Sequence, residues 1–206
     1  MRPGLLFGII WIGWVVSWIA AAFWSARVEK RRRATDWDIW AYRLATLIGA
    51  LLLWHSARRV LHEARLWHVG YDGAYALAGV TLLGLLFAWW ARIYLGPLWS
   101  GSITLKHDHR VVDTGPYAFV RHPIYTGLIV SLLATAAAQA TISGCAGAAL
   151  IAIGFWLKAR AEERFLSAEL GEEAYGAYRR RVPMLVPGVR DRGSGIGDRG
   201  STNRSP

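Results

Sequence analysis

The side chains best suited to chemistry lie in a polar segment that opens an apolar run. Arg121, His122 and Tyr125 surround Pro123 in the sequence Arg-His-Pro-Ile-Tyr-Thr-Gly. Proline suits the first turn of a helix, because the N–H that it lacks would have no partner there. His122 therefore falls at the cap of a predicted helix, beside free amides and the positive end of the helix dipole. Such a position favours a carboxylate or a phosphate.

A second charged segment begins directly after the last apolar run. Lys158 and Glu162 are four residues apart and share one face of a helix, whereas Arg160 turns to a neighbouring face. Trp156 marks a membrane boundary, which places both residues at the depth where an apolar substrate presents a polar head.

Both segments also have a simpler interpretation. The first can be an interfacial pair that touches lipid headgroups, and the second a salt-bridged helix below the membrane. We predict no metal site, because His107 and His109 stand two residues apart without a further cluster of ligands. Spacing alone leaves the headgroup and the substrate interpretations open.

Four apolar runs supply the elements that must position these side chains. Residues 4–24, 38–54 and 74–95 each approach the length needed to cross ~30 Å of hydrocarbon at ~1.5 Å per residue. Residues 124–156 are too many for one span, and turn-forming residues at 139–144 divide them. We therefore predict an all-α integral membrane protein with about five transmembrane helices, including a helical hairpin, and with a cytoplasmic C-terminal helix.

Composition agrees with a membrane protein. The chain has 206 residues, of which 54% are hydrophobic, and a formal charge of +10. The cations lie between apolar runs rather than on a polar domain, so we do not expect nucleic-acid binding. Cys145 is the only cysteine, which excludes an intrachain disulfide and a thiolate metal cluster.

The distribution of charge predicts an orientation. Eighteen of the 24 Lys and Arg residues lie in loops 25–38 and 96–122 or after residue 157, which five spans place on one side. That side is cytoplasmic by the positive-inside bias, so the candidate site faces the cytoplasm and the N-terminus lies outside. We predict one membrane-embedded domain, residues 1–187, and a disordered tail, residues 188–206. A polar, exposed connection is expected at residues 55–71.

Three pieces of the sequence resemble the isoprenylcysteine carboxyl methyltransferase family. They are residues 111–117, residues 121–127, and the pair Glu162-Glu163 with the pattern at 171–183. Together they cover about residues 96–187, which would be the catalytic part. Lipid N-methyltransferases and some sterol reductases are similar around the same histidine and tyrosine.

The resemblance implies S-adenosyl-L-methionine as the cofactor and a lipophilic carboxylate as the acceptor, which enters from the bilayer. A carboxylate is already a nucleophile at neutral pH, so methyl transfer requires alignment rather than a strong base. A cation can orient the acceptor carboxylate that the resemblance implies, and the candidates are Arg121, Lys158 and Arg160. The family commonly has arginine where this chain has Lys158, and lysine lacks the fork that holds a carboxylate through two parallel bonds. The cofactor-binding residues that the resemblance implies are His109, Arg110, Val111, Val112, Tyr117, His122, Pro123, Ile124, Tyr125 and Glu162.

Three alternative functions remain open on the sequence. The chain can be a phospholipid N-methyltransferase, a sterol-reductase-like enzyme that uses NADPH, or a non-catalytic membrane scaffold. A glycine-rich dinucleotide fingerprint after a strand would favour NADPH, and the sequence has none.

Overall fold

Helices dominate the part of the chain that the structure describes. The structure is a computed structural model, and it describes residues 2–22, 28–31, 37–59, 64–99, 104–106 and 111–189. The helices are α1 (Pro3–Ala22), α2 (Trp37–Arg59), α3 (Tyr71–Leu95), α4 (Pro123–Gln139), α5 (Ile142–Leu170) and α6 (Glu172–Arg181). Single 3₁₀ turns occupy Gly96–Leu98 and Gly115–Ala118.

Among the residues that the structure describes, three segments are long and apolar enough to cross a membrane. They are Pro3–Ala21, Tyr71–Leu98 and Ile142–Glu169, judged by length and composition. α4 is apolar but has only 17 residues, and α2 is not among the three segments. The structure is thus consistent with a helical integral membrane protein, and the total of five spans stays a prediction.

A short antiparallel ribbon was not predicted. β1 (Val28–Arg31) pairs with β2 (Thr104–Lys106), so that Lys30 lies opposite Leu105. The ribbon joins two loops that the charge distribution had already assigned to one side of the membrane. We call this end of the molecule the site end.

The opposite end, which we call the hairpin end, is organised around the turn between α4 and α5. Ala140 ends α4 in a left-handed conformation with φ of 54°. Thr141 then caps α5 by accepting a hydrogen bond from the Gly144 N–H at 3.1 Å. Its hydroxyl also shares a hydrogen bond of 2.5 Å with Ser56 of α2, and Leu66 donates its N–H to the Ala140 carbonyl at 2.7 Å. The connection predicted for residues 55–71 is shorter than expected, because α2 continues to Arg59.

Arg92 ties α1 to α3 at the site end. Its buried guanidinium donates to the carbonyl oxygens of Ala21 and Gly96, each at 2.8 Å. Ala21 lies in the last turn of α1 and Gly96 caps α3, so the cation lies at the negative ends of both helix dipoles. The indole of Trp18 also packs edge-on against Trp89 and Trp99. α1 and α3 therefore end at the same end of the molecule.

Glycines allow the helices around the site to approach closely. α3 crosses α4 where Gly84 faces Gly127, and α2 crosses α5 where Gly49 faces Gly147. A Cβ atom on Gly84 would lie 2.6 Å from the Gly127 carbonyl oxygen, and one on Gly49 would lie 2.7 Å from the Gly147 carbonyl oxygen. Small residues at such crossings are typical of helix pairs in membranes. The crossings fix where α4 and α5 present their site residues.

Gly84→Ala should destabilise the protein by about 1–3 kcal/mol, because the added methyl group overpacks a crossing between two backbones. Thermal unfolding in detergent measures the effect as a lower midpoint. Gly79→Ala is the matched control, since it lies in the same helix and a Cβ there meets no atom within 4 Å. Equal midpoints for the two variants would contradict the close crossing.

Candidate active site

A C-terminal segment clasps the start of α4. We call residues 182–185 the strap. Arg121 donates its backbone N–H to the Pro183 carbonyl at 2.9 Å, and His122 donates its N–H to the Met184 carbonyl at 3.1 Å. The Thr126 hydroxyl donates to the Leu185 carbonyl at 2.7 Å. The chain after α6 therefore fixes the residues that precede and open α4.

Arg121 and Glu163 form a buried ion pair next to the strap. The guanidinium donates from Nε to Oε1 at 2.6 Å and from Nη2 to Oε2 at 3.1 Å, and each residue is only 5% exposed. This two-pronged geometry is the strongest form of an arginine–carboxylate pair. Nη1 donates to the carbonyls of Arg179, at 3.0 Å, and Val182, which belong to the last turn and cap of α6. A cation is favoured at that end of a helix.

His122 connects this pair to a stack of aromatic rings. Its Nε2 lies 3.2 Å from Oε1 of Glu163. The imidazole stacks on Tyr125 with 5.4 Å between ring centroids and 7° between planes, and Tyr125 stacks in turn on Phe155 at 5.3 Å and 9°. α4 supplies the tyrosine and α5 the phenylalanine, so the two helices share one continuous aromatic layer.

Lys158 and Glu162 both lie next to the Tyr125 phenol. The hydroxyl group of Tyr125 donates to Oε2 of Glu162 at 2.8 Å. The ammonium nitrogen of Lys158 lies 5.3 Å from the centroid of the Tyr125 ring and 5.9 Å from that of Tyr42 in α2. Such distances allow cation–π attraction. Three helices, α2, α4 and α5, thus meet at a cation and a carboxylate that sit one helical turn apart.

Two buried tyrosines support the loop before α4. Tyr178 of α6 donates its hydroxyl to the Tyr117 carbonyl at 2.8 Å, and the Tyr117 hydroxyl lies 3.4 Å from the Ala91 carbonyl. Burial raises the pKa of Tyr117 and of Tyr178 above the ordinary phenol value. Both phenols therefore stay protonated at physiological pH and act as hydrogen-bond donors.

Most of the predicted site residues that the structure describes surround this cluster. His122, Tyr125, Lys158 and Glu162 come together as described above. The remaining predicted residues pack into the supporting core. Val111 contacts the cluster of Tyr175, Tyr178 and Val182, and Val112 contacts the cluster that contains Tyr117 and Ile124. Pro123 is also buried. His109 and Arg110 lie outside the described residues.

Two of the three cations predicted to bind the acceptor do not lie beside Tyr125 and Glu162. Arg121 does not fit the prediction that it orients a substrate carboxylate, because its guanidinium is committed to Glu163 and to two backbone carbonyls. Arg160 is exposed, and its guanidinium lies 4.9 Å from the centroid of the Trp156 ring. Lys158 alone stands beside the aromatic layer and Glu162.

The sequence reasoning missed Glu163, Tyr42, Phe155 and the strap. Glu163 was recognised only as half of a glutamate pair. One step along a helix turns a side chain by about 100°, so Glu163 had to face different partners from Glu162. Tyr42 and Phe155 carry no local signal, because their positions depend on how three helices cross.

Comparison with known proteins shows which family the sequence resembles. Residues 77–168 match the model of the isoprenylcysteine carboxyl methyltransferase family. A protein-S-isoprenylcysteine O-methyltransferase of Schizosaccharomyces pombe is 30% identical over 115 residues, which are 53% of this chain and 47% of that protein. Methanethiol S-methyltransferase 1 of Bradyrhizobium diazoefficiens is 34% identical over 122 residues, 52% of this chain and 42% of that protein.

A relative named for another property aligns over more of the chain. A cobalt-zinc-cadmium resistance protein of Cupriavidus metallidurans is 27% identical over 154 residues, 72% of this chain and 62% of that protein. The chain thus spans less than two thirds of the length of each of these relatives. The predicted resemblance to the isoprenylcysteine carboxyl methyltransferase family is confirmed by the family match and the methyltransferase relatives.

Proposed function

We propose that this chain, which carries the sequence pattern of the isoprenylcysteine carboxyl methyltransferase family over residues 77–168, is an S-adenosylmethionine-dependent O-methyltransferase. Its acceptor is the carboxylate of a lipid-borne or isoprenylcysteine-like molecule. One observation carries the proposal: Lys158 and Glu162 both contact the same stacked tyrosine, and both belong to α5, a helix long and apolar enough to cross a membrane. A site that joins a cation, an anion and aromatic faces at a membrane boundary suits a charged cofactor and an apolar acceptor.

The residues present fit the proposed cofactor. S-Adenosylmethionine supplies an electrophilic methyl group on a sulfonium, which is neutral once the methyl group has left. The half-buried Glu162 carboxylate can accept a hydrogen bond from an ammonium group or a ribose hydroxyl. At the start of α4, the N–H groups of Ile124 and Tyr125 belong to the first turn, which has no helical acceptors and favours a carboxylate.

The chain's own residues account for acceptor binding. Lys158 holds the acceptor carboxylate by charge, and the Tyr42 and Tyr125 rings fix the ammonium group from α2 and α4. The aromatic layer excludes water, which strengthens each electrostatic contact within the site. No proton has to move when a carboxylate is methylated, so none of these residues has to act as a strong base. These residues act by orienting the acceptor carboxylate for methyl transfer.

A thiol is the second candidate acceptor, and Lys158 is compatible with it. Lysine is a point charge without a fork, so it suits the single sulfur atom of a thiolate as well as a carboxylate. The relative named methanethiol S-methyltransferase supports this candidate. An amine acceptor is less suited to the site, because the protonated form that dominates in water would face the Lys158 ammonium. Comparing methylation of a small thiol with that of a prenylcysteine analogue would separate the two candidates.

Isothermal titration of the purified protein with S-adenosylmethionine tests the proposal. Saturable binding at one site per chain is the expected result. A folded sample that binds NADPH instead would favour the sterol-reductase-like alternative, and a folded sample that binds neither would leave the non-catalytic scaffold.

The site end should face the cytoplasm. β1 and β2 join two basic loops there, and the strap lies against the start of α4, so the basic segments gather at one end of the molecule. A reporter fused after Pro187 should therefore read as cytoplasmic, and one inserted at residues 142–143 of the hairpin end should read as external. A periplasmic or luminal signal after Pro187 would overturn both the orientation and the N-terminus-outside topology.

A further inference from the structure

The ion pair beneath the aromatic layer determines the protonation of Glu163. Arginine stays charged in proteins, and the guanidinium of Arg121 reaches both oxygens of the Glu163 carboxylate. The Nε nitrogen of Arg179 lies 3.4 Å from Oε2, which adds a second cation. Glu163 is therefore ionised, and an ionised carboxylate can only accept hydrogen bonds.

The geometry then determines which nitrogen of His122 carries a proton. Nε2 lies 3.2 Å from the same Oε1 atom that accepts from Arg121. Because that oxygen cannot donate, Nε2 must carry the hydrogen of this bond. The imidazole has little freedom to turn over, since it is 8% exposed and stacks on Tyr125. In the neutral ring, Nδ1 is consequently the unprotonated acceptor.

We propose that Glu163 is a positioning residue that fixes His122 in its Nε2–H tautomer, so that the group His122 recognises is a hydrogen-bond donor. An ammonium group is the donor of this kind that an amino-acid ligand carries. That last identification rests on the proposed function, whereas the tautomer does not. The Glu163 carboxylate thereby determines that the ammonium group of a zwitterionic ligand, and not its carboxylate, can hydrogen-bond to the imidazole.

The strap and α6 maintain this arrangement from outside the family-matched segment. Arg121 is anchored by the carbonyls of Arg179 and Val182, and its backbone by Pro183. These three residues lie beyond residues 77–168. The tautomer of His122 therefore depends also on contacts that α6 and the strap make with Arg121.

Nitrogen-15 spectra of histidine-labelled protein in detergent test the tautomer directly. They should be recorded at about pH 8.5, where an ordinary imidazole is neutral. The His122 signals are assigned by their loss in His122→Asn. The wild type should show a protonated Nε2 and an unprotonated Nδ1. A protonated Nδ1, or signals averaged between two tautomers, would overturn the proposal.

The double variant Arg121→Met and Glu163→Met tests the cause. Replacing both members of a buried pair with apolar residues of similar volume is commonly tolerated, whereas removing one member leaves a buried charge. Averaged His122 signals in the folded double variant are expected, because the acceptor is gone. Retention of the single wild-type tautomer would refute the role of Glu163.

Two single variants test the ligand. The side-chain amide of asparagine can occupy the position of Nδ1, and that of glutamine the position of Nε2. His122→Asn should therefore bind S-adenosylmethionine about tenfold more tightly than His122→Gln. Tighter binding by His122→Gln would overturn the donor-ligand assignment. A wild type that shows the expected tautomer but binds no S-adenosylmethionine would contradict the proposed function and leave the role of Glu163 standing.

Discussion

Lys158→Met should lower kcat/KM for a prenylcysteine carboxylate acceptor by roughly thirtyfold or more and leave the affinity for S-adenosylmethionine near that of the wild type. Truncating one partner of a desolvated, hydrogen-bonded charge pair costs about 2–5 kcal/mol. Methionine keeps the apolar stem that packs beside Tyr42 and Tyr125, so the change removes the charge more than the packing. Initial rates at varied acceptor concentration, with saturating cofactor, measure the effect.

Two further variants make this test specific. Arg160→Met is the matched control, because it removes a cation that also faces an aromatic ring on the same helix but is exposed. It should keep nearly full activity. Lys158→Arg restores the fork common in the family and should be at least as active as the wild type on a carboxylate. If Lys158→Met matched the wild type, Lys158 would not be the carboxylate partner.

The second large effect concerns the cofactor, because His122→Ala and Glu162→Ala should each weaken S-adenosylmethionine binding by about ten- to a hundredfold. A charge-assisted hydrogen bond contributes about 1.5–3 kcal/mol, which corresponds to that range. The two residues flank Tyr125, one through ring stacking and the other through a hydrogen bond of 2.8 Å. Titration calorimetry of each purified variant measures the change.

Asp113→Ala provides the control for these two variants. It also removes a carboxylate, but one whose ion pair with Arg181, at 2.9 Å, is exposed. Its affinity should equal that of the wild type, because exposed pairs contribute little. Wild-type affinity in both His122→Ala and Glu162→Ala would remove the cofactor site from this position.

Local sequence signals predicted much of the fold. Apolar runs of spanning length predicted α1, α3 and the apolar part of α5, and turn residues near 140 predicted the hairpin. The ribbon of β1 and β2 was missed, because its strands have only four and three residues and are separated by the 72 residues between Arg31 and Thr104. Pairing over such a separation leaves no periodic pattern in either strand.

The candidate site was predictable where its residues share a helix or a turn. The spacing of Lys158 and Glu162 predicted that they share one helical face. Pro123 predicted the start of α4, with His122 at its N-cap. The partner of Arg121 was not predictable, because Glu163 lies 42 residues away and reaches it only through the packing of α5 on α4. A buried arginine engaged in the protein and one that binds a substrate are identical in sequence. Only the three-dimensional contacts separate the two roles.

Transfer of a labelled methyl group is the most direct measurement of the central claim. The purified protein, incubated with lipid extract and methyl-labelled S-adenosylmethionine, should produce a labelled methyl ester of a lipophilic acid that mass spectrometry can identify. Glu162→Ala, assayed in parallel at subsaturating cofactor, should form much less of it. A phospholipid labelled on its amine, or no labelled product from folded protein that binds the cofactor, would contradict methyl transfer to a carboxylate.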